Sequence, residues 1–321
     1  MIKQILKFLR GSILFNGPVR YLVKGLYHFS NRVFAFFSLH WPVYGVISFH
    51  LPNEKSVKIY SRGDDYLSTL VYWKGYEGYE GPSIKLFYYL AQKSSVVMDI
   101  GANVGYYTLI GASANSKATI YAFEPVPSIY KRLAKNCDLN KLKNTRLINA
   151  AVGDSETPIK FYMPTGQEIA LAGSTKKGWI TATDEIEVPS LTLDKFKSTE
   201  KIPRIDLIKI DCEFHEVEAL KGMKNLLKSD KPLIIMEILF PEAEGIKGHF
   251  ENNYYLEIER IMKENGYYFY LINEKALIRL DQLEYNPDGM NYLFSTKKST
   301  HIYLSFSNMD SLIAQVFEPR I

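Results

Sequence analysis

At 321 residues, 46% hydrophobic and 23% charged, the chain is long enough to bury a full core, and its composition excludes a disordered or collagen-like protein. The formal net charge of +4 is too small for a surface that binds nucleic acid throughout, and the positive charge gathers at the front, where Lys3, Lys7, Arg10, Arg20, Lys24 and Arg32 precede the first acid, Glu54. Cys137 and Cys212 stand far apart in different predicted elements, which argues against a metal-binding pair or a disulfide framework and for a reducing compartment. With no apolar run of roughly 18 residues and no signal-peptide pattern, the expected location is cytoplasmic.

Residues 2–14 and 19–38 both read as basic amphipathic helices, with Leu22, Leu26, Phe29, Val33 and Phe36 on one face of the second and Lys24, His28 and Arg32 on the other. The pattern fits a helical extension packed on the main domain, or peripheral contact of residues 1–40 with an anionic membrane surface. Residues 42–60 turn β-like, punctuated by Pro42, Pro52 and Asn53.

From residue 84 strands alternate with helices, which predicts a mostly parallel sheet with crossovers. Strands are expected at 95–99, 118–123, 145–150, 205–210, 232–237, 267–272 and 290–296, and helices at 104–114, 127–139, 214–228 and 251–265. Residues 157–190, with Gly166, Gly173 and Gly178, form an irregular insert able to hold a β-hairpin. The predicted organisation is an extension over 1–83, an α/β domain over 84–300 and a tail over 301–321.

Val96-Val97-Met98-Asp99-Ile100-Gly101-Ala102-Asn103-Val104-Gly105 is an apolar strand entering a glycine loop and then a helix. Gly101 and Gly105 permit close approach of the backbone to a ligand, and the helix start offers unpaired N–H groups. The spacing is G-x-N-x-G; a dinucleotide fingerprint would need glycines where Asn103 and Tyr106 stand. An acid at the strand end, Asp99, suits the positively charged methionine part of S-adenosylmethionine. At the end of the next strand, Glu124 is placed to accept hydrogen bonds from both ribose hydroxyls of an adenosine, with Pro125 fixing the turn.

Asp-Ile-Gly-Ala-Asn-Val-Gly at 99–105, Phe-Glu-Pro-Val-Pro at 123–127 followed by Leu133, Asn136, Leu139 and Asn140, and Lys-Ile-Asp-Cys-Glu at 209–213 together resemble the FkbM family of S-adenosylmethionine-dependent methyltransferases over residues 84–240. The resemblance implies a Rossmann-like class I methyltransferase fold, with a mostly parallel seven-stranded sheet and helices on both faces. It also implies O-methylation of sugars or other natural products. It assigns Asp99, Gly101, Asn103, Gly105, Glu124 and Pro125 to S-adenosylmethionine and Ala151 and Val152 to its adenine.

Asp211, Glu213, His215 and Glu216 cluster where a central strand meets a helix, at the edge where open α/β sheets bind ligands. A sugar hydroxyl becomes a good nucleophile as its proton leaves, so Asp211, Glu213 and His215 are the candidate bases. Where the family carries glycine, Phe214 stands. Glu237, at the end of the following strand, points at the same edge. A divalent ion on Asp211 and Glu213 would be compatible with sugar chemistry, but the sequence requires none. The expected activity is methyl transfer to a hydroxyl of a saccharide or small-molecule acceptor in polysaccharide or glycolipid synthesis, with no nucleic-acid partner. The alternatives are an NAD-dependent sugar oxidoreductase and a catalytically inactive cofactor-binding module.

Overall fold

The computed structural model describes residues 43–164, 183–240, 254–285, 290–299, 301 and 303–317. The chain enters through an antiparallel pair, β1 (Tyr44–His50) and β2 (Ser56–Arg62), followed by α1 (Tyr66–Lys74) and α2 (Gly81–Lys93). Strand and helix then alternate through β3 (Val96–Ile100), α3 (Tyr106–Ala114), β4 (Thr119–Phe123), α4 (Pro127–Leu139), β5 (Thr145–Ile148) and the short β6 (Ala151–Val152). The hairpin β7 (Ile159–Pro164) and β8 (Thr183–Val188) lies within the predicted insert, and the three insert glycines fall outside the described residues. Next come β9 (Ser190–Leu191), α5 (Leu193–Thr199), β10 (Leu207–Ile210), α6 (Glu216–Lys221), α7 (Lys224–Ser229), β11 (Leu233–Glu237) and α8 (Tyr254–Glu264). The described chain ends with β12 (Tyr268–Ile272), β13 (Ala276–Leu280), β14 (Asn291–Ser295), β15 (Tyr303–Ser305) and α9 (Met309–Val316).

The main sheet has the order β15-β13-β12-β14-β11-β10-β3-β4-β5. Strands β11, β10, β3, β4 and β5 run parallel, and β14 lies antiparallel between β11 and β12. Because the chain leaves β3 in one direction and returns to β10 on its other side, the order reverses between these two strands. At such a switch point the loops diverge and leave a crevice at the carboxyl ends. Strands β10 and β11 are almost wholly apolar, apart from Lys209 inside β10 and Glu237 at the end of β11, as expected of strands buried on both faces.

Seven strands match the expected positions, and two more enlarge the sheet. The segment from 301, expected as a tail, contributes β15 and α9, because Leu304, Phe306, Met309, Leu312, Ile313, Val316 and Phe317 are apolar and buried. The helix expected over 214–228 is instead split into α6 and α7 at Gly222. A Cβ on Gly222 would lie 1.9 Å from the carbonyl oxygen of Gly153, so the helix pair packs directly on the backbone after β6. At the front, Ile47, Phe49, Val57 and Ile59 of β1 and β2 share one core with Leu109 and Ile120 of the main domain. The basic helical patterns of residues 2–38 lie outside the described residues. Among the described residues no helix is long and apolar enough to cross a membrane, and Cys137 and Cys212 are both free thiols.

Candidate active site

The glycine loop after β3 is tied to its neighbours by backbone bonds: the N–H groups of Gly101 and Ala102 donate to the Phe123 carbonyl, and the Asp211 N–H donates to the Ile100 carbonyl. Gly101 has φ +80°, and a Cβ there would lie 1.8 Å from the Asp211 carbonyl oxygen. Only glycine lets β3 and β10 release their loops this close together. Gly105, at φ +96°, opens α3 and packs against Leu133, a residue of the predicted motif on α4.

Between these loops lies an open pocket, about 520 Å³ of space that includes the solvent at its mouth. Gly101, Asn103, Glu124, Pro125, Ala151 and Val152 line it, as do Asp211, Glu213 and His215. The sequence had not pointed to Ile129, Ala150 and Phe161, which add apolar wall. Asp99 and Gly105 are not among the lining residues. Asp99 is buried beneath the loop, where it accepts a hydrogen bond from the Thr108 hydroxyl at 2.5 Å. This bond pins α3 to β3.

Glu124 is held by the backbone. Its Oε2 accepts from the Asn103 N–H at 3.0 Å and its Oε1 from the Val126 N–H at 2.8 Å, while Asn149 Nδ2 donates to the carbonyls of Glu124 and Pro125. Each carboxylate oxygen keeps a second lone pair for a ligand. Burial pushes the Glu124 carboxyl up to about 7 against these two stabilising N–H bonds, and pushes Asp99 up to about 6.

On the far side of Asp211 lies a second, charged layer. The ammonium of Lys209, itself 1% exposed, is 3.6 Å from Asp211 Oδ2, 3.9 Å from Glu80 Oε2, 3.3 Å from Asn291 Oδ1 and 5.0 Å from the centre of the Tyr107 ring. Glu80 Oε2 accepts from the Tyr107 hydroxyl at 2.7 Å and from Asn291 Nδ2 at 3.3 Å. Carboxylate oxygens of Glu80, Asp211 and Glu237 lie within 4.8 Å of one another, and Glu213, expected to join Asp211 around any cation, is not in that group. Hard oxygen donors suit magnesium or calcium, and the buried ammonium of Lys209 offsets part of the cluster's negative charge. Burial raises Glu80 and Glu237 above the ordinary carboxylate range and takes Glu213 to about 8, with the charge of Asp211 adding to each shift.

The three candidate bases divide. Asp211 and Glu213 join the cavity to the charged layer, whereas His215 sits beside β6: a Cβ on Gly153 would lie 3.1 Å from its Nε2, and its Nδ1 is 3.6 Å from Glu218. Phe214 is buried and is not among the lining residues, so its bulk does not fill the cavity. Sequence reasoning missed Glu80 and Lys209. For Lys209 the signal was present, a charge inside an otherwise apolar strand; Glu80 precedes a helix start like any loop acid, and only the tertiary fold brings it to the sheet edge.

The family model of the methyltransferase FkbM domain matches residues 99–269, just over half of the chain. The chain is 30% identical over 156 residues to hexuronic acid methyltransferase AglP of Haloferax volcanii, covering 48% of this chain and 60% of that protein. It is 28% identical over 150 residues to 2-O-methyltransferase NoeI of Sinorhizobium fredii, covering 43% and 61%. The match therefore spans about three fifths of the length of these relatives. The crystal structure of methyltransferase FkbM from Methylobacillus flagellatus aligns with a TM-score of 0.37 at 16% identity, over 71% of this chain and 52% of that one.

Proposed function

The chain belongs to the FkbM methyltransferase family, and we propose that it transfers the methyl group of S-adenosylmethionine to a hydroxyl of a sugar. The observation that carries this reading is a single cavity with Glu124 and the glycine loop on one wall and Asp211 and Glu213 on another. One relative is named for a hexuronic acid and another for a 2-O position, which favours a saccharide acceptor.

The residues present fit the cofactor. Glu124 offers the free lone pairs of its two oxygens to a ribose diol, the Gly101–Asn103 backbone gives close approach, and Ala151, Val152, Ile129 and Phe161 form an apolar wall for adenine. When bound, S-adenosylmethionine supplies an electrophilic methyl on a cationic sulfur. Asp211 brings negative charge to the cavity wall, which suits a cationic cofactor. Glu213 takes the acceptor's proton as the oxygen attacks, since a base near pH 8 combines a useful deprotonated fraction with proton affinity. Asp211, paired with Lys209, orients the hydroxyl from the other side. His215 belongs to the wall around the cofactor rather than to the proton transfer.

The test is calorimetric titration of the full chain with S-adenosylhomocysteine, beside NAD and a Glu124→Ala variant. Micromolar binding, absent with NAD and lost in the variant, is expected; incorporation of labelled methyl into a panel of hexose and hexuronic acid glycosides then identifies the acceptor class. A folded chain that ignores S-adenosylhomocysteine refutes the reading.

A further inference from the structure

Two consecutive residues of the loop after β10 adopt left-handed backbone angles, Glu213 at φ +50° and Phe214 at φ +71°. For a bulky aromatic residue this is a genuine outlier, and such strain persists only where the surroundings impose it. Glycine takes these angles freely, and glycine is the residue found here in the family pattern. The surroundings of Phe214 explain how a phenylalanine is held instead. Its ring is 1% exposed and meets Tyr254, the first residue of α8, edge to face with centroids 5.7 Å apart. The Tyr254 hydroxyl donates to the Glu216 carboxylate and accepts from the Glu216 N–H at 2.9 Å, and Glu216 Oε1 accepts from the Cys212 N–H at 3.1 Å. The loop is thus closed on itself by Glu216 and fastened to α8 through both Tyr254 and Phe214. The residues on either side of Phe214, Glu213 and His215, line the cavity and Phe214 does not.

We propose that Phe214 is a positioning residue: anchoring its ring against Tyr254 holds residues 213 and 214 in successive left-handed conformations and thereby keeps the Glu213 carboxylate turned into the cofactor cavity. This role rests on the methyl-transfer reading for its functional meaning. It makes α8 a support of the site, since α8 carries the tyrosine that both clasps are built on. A glycine at 214 would relieve the strain and leave the average path of the loop unchanged, but it would remove the anchor.

The experiment compares Phe214→Gly and Phe214→Leu in the full chain, by amide hydrogen exchange over residues 211–216 and by calorimetric titration with S-adenosylhomocysteine. Phe214→Gly is expected to speed exchange in this loop about tenfold and to weaken binding about tenfold, whereas Phe214→Leu, which keeps an apolar anchor, stays within about threefold of the parent in both. Unchanged affinity in Phe214→Gly overturns the proposal, with or without faster exchange. Equal losses in the two variants, following their melting temperatures, also overturn it, because they would mark a residue that merely fills the core. If the parent chain itself does not bind S-adenosylhomocysteine, the methyl-transfer reading fails, and the exchange comparison still decides whether Phe214 holds the loop.

Discussion

The α-carbon of Gly101 faces the carbonyl oxygen of Asp211 so closely that an added Cβ would lie 1.8 Å from it. This contact joins the two halves of the sheet at their switch point, and it sets the width of the crevice in which Glu124 and Glu213 meet. Neither backbone can yield, since the Gly101 N–H is bonded to Phe123 and the Asp211 N–H to Ile100. Gly101→Ala is therefore expected to push β10's loop outward, to abolish S-adenosylhomocysteine binding and to cost on the order of 3 kcal/mol of stability from overpacking and from alanine at positive φ. Calorimetry and urea denaturation check the two effects separately; a variant that binds like the parent would show the loops to be pliable.

The buried carboxyls predict an unusual slope of stability with pH. Asp99, Glu124, Glu213 and Glu216 are raised by burial to about 6, 7, 8 and 7. A raised carboxyl binds more protons in the folded than in the unfolded chain, so its stabilisation is complete at low pH and is lost as pH climbs through the folded value. The melting temperature of the ligand-free chain is expected to fall between pH 5.5 and 8.5. Glu124 alone, moved from 4.5 to about 7, accounts for about 2 kcal/mol of that loss. Glu124→Gln places an amide before two N–H donors and destabilises at every pH, but its melting temperature should decline less steeply. A parent profile that is flat or rises over this range would contradict the burial of these acids.

Asn136 links the glycine loop to the front of the chain. Its Nδ2 donates to the Val104 carbonyl at 2.8 Å, and its Oδ1 accepts from the Tyr60 N–H on β2 at 2.8 Å. Four residues on, just past the end of α4, Asn140 bonds both the N–H and the carbonyl of Lys58, so the two asparagines satisfy backbone groups on the outer edge of β2. Asn136→Ala leaves two backbone groups without partners in a fully buried place and is expected to destabilise by about 2–3 kcal/mol. Urea unfolding with an unchanged m-value is the check. A loss under 0.5 kcal/mol, within the range of ordinary surface changes, would mean that water replaces the asparagine.

These cases also explain what the sequence could tell. Asp99, Gly101 and Glu124 were legible because a strand, a tight turn and a strand-end acid leave local marks, and the parallel sheet followed from alternating periodicity. Asn136 and Asn140 were legible as a motif but not as a support, since their partners Tyr60 and Lys58 lie far back in the chain. The bond from Thr108 to Asp99 was not legible, because it depends on how α3 settles over β3. The division of the helix at Gly222 turns on a backbone of β6 that no local pattern announces. Glu80 belongs to a loop ahead of the family-matched span, and its approach to Asp211 is created entirely by the docking of α2 on the sheet.

The proton-transfer role of Glu213 gives the last expectation. With its carboxyl at about 8, kcat should rise with pH and level off above that value, as the base loses its own proton. Glu213→Gln should remove this inflection and lower kcat by roughly 100-fold or more. The ammonium of Lys209 opposes the neighbouring acids, which lowers Glu213 relative to where burial, Asp211, Glu216 and Glu80 would otherwise carry it. Lys209→Met should therefore move the inflection to higher pH, with the chain assayed well below its reduced melting temperature because the carboxylates of Asp211 and Glu80 lose their buried counter-ion. An inflection that persists in Glu213→Gln would assign the proton to another group, with Asp211 the first to examine. One that ignores Lys209→Met would show that the ammonium's charge does not reach Glu213.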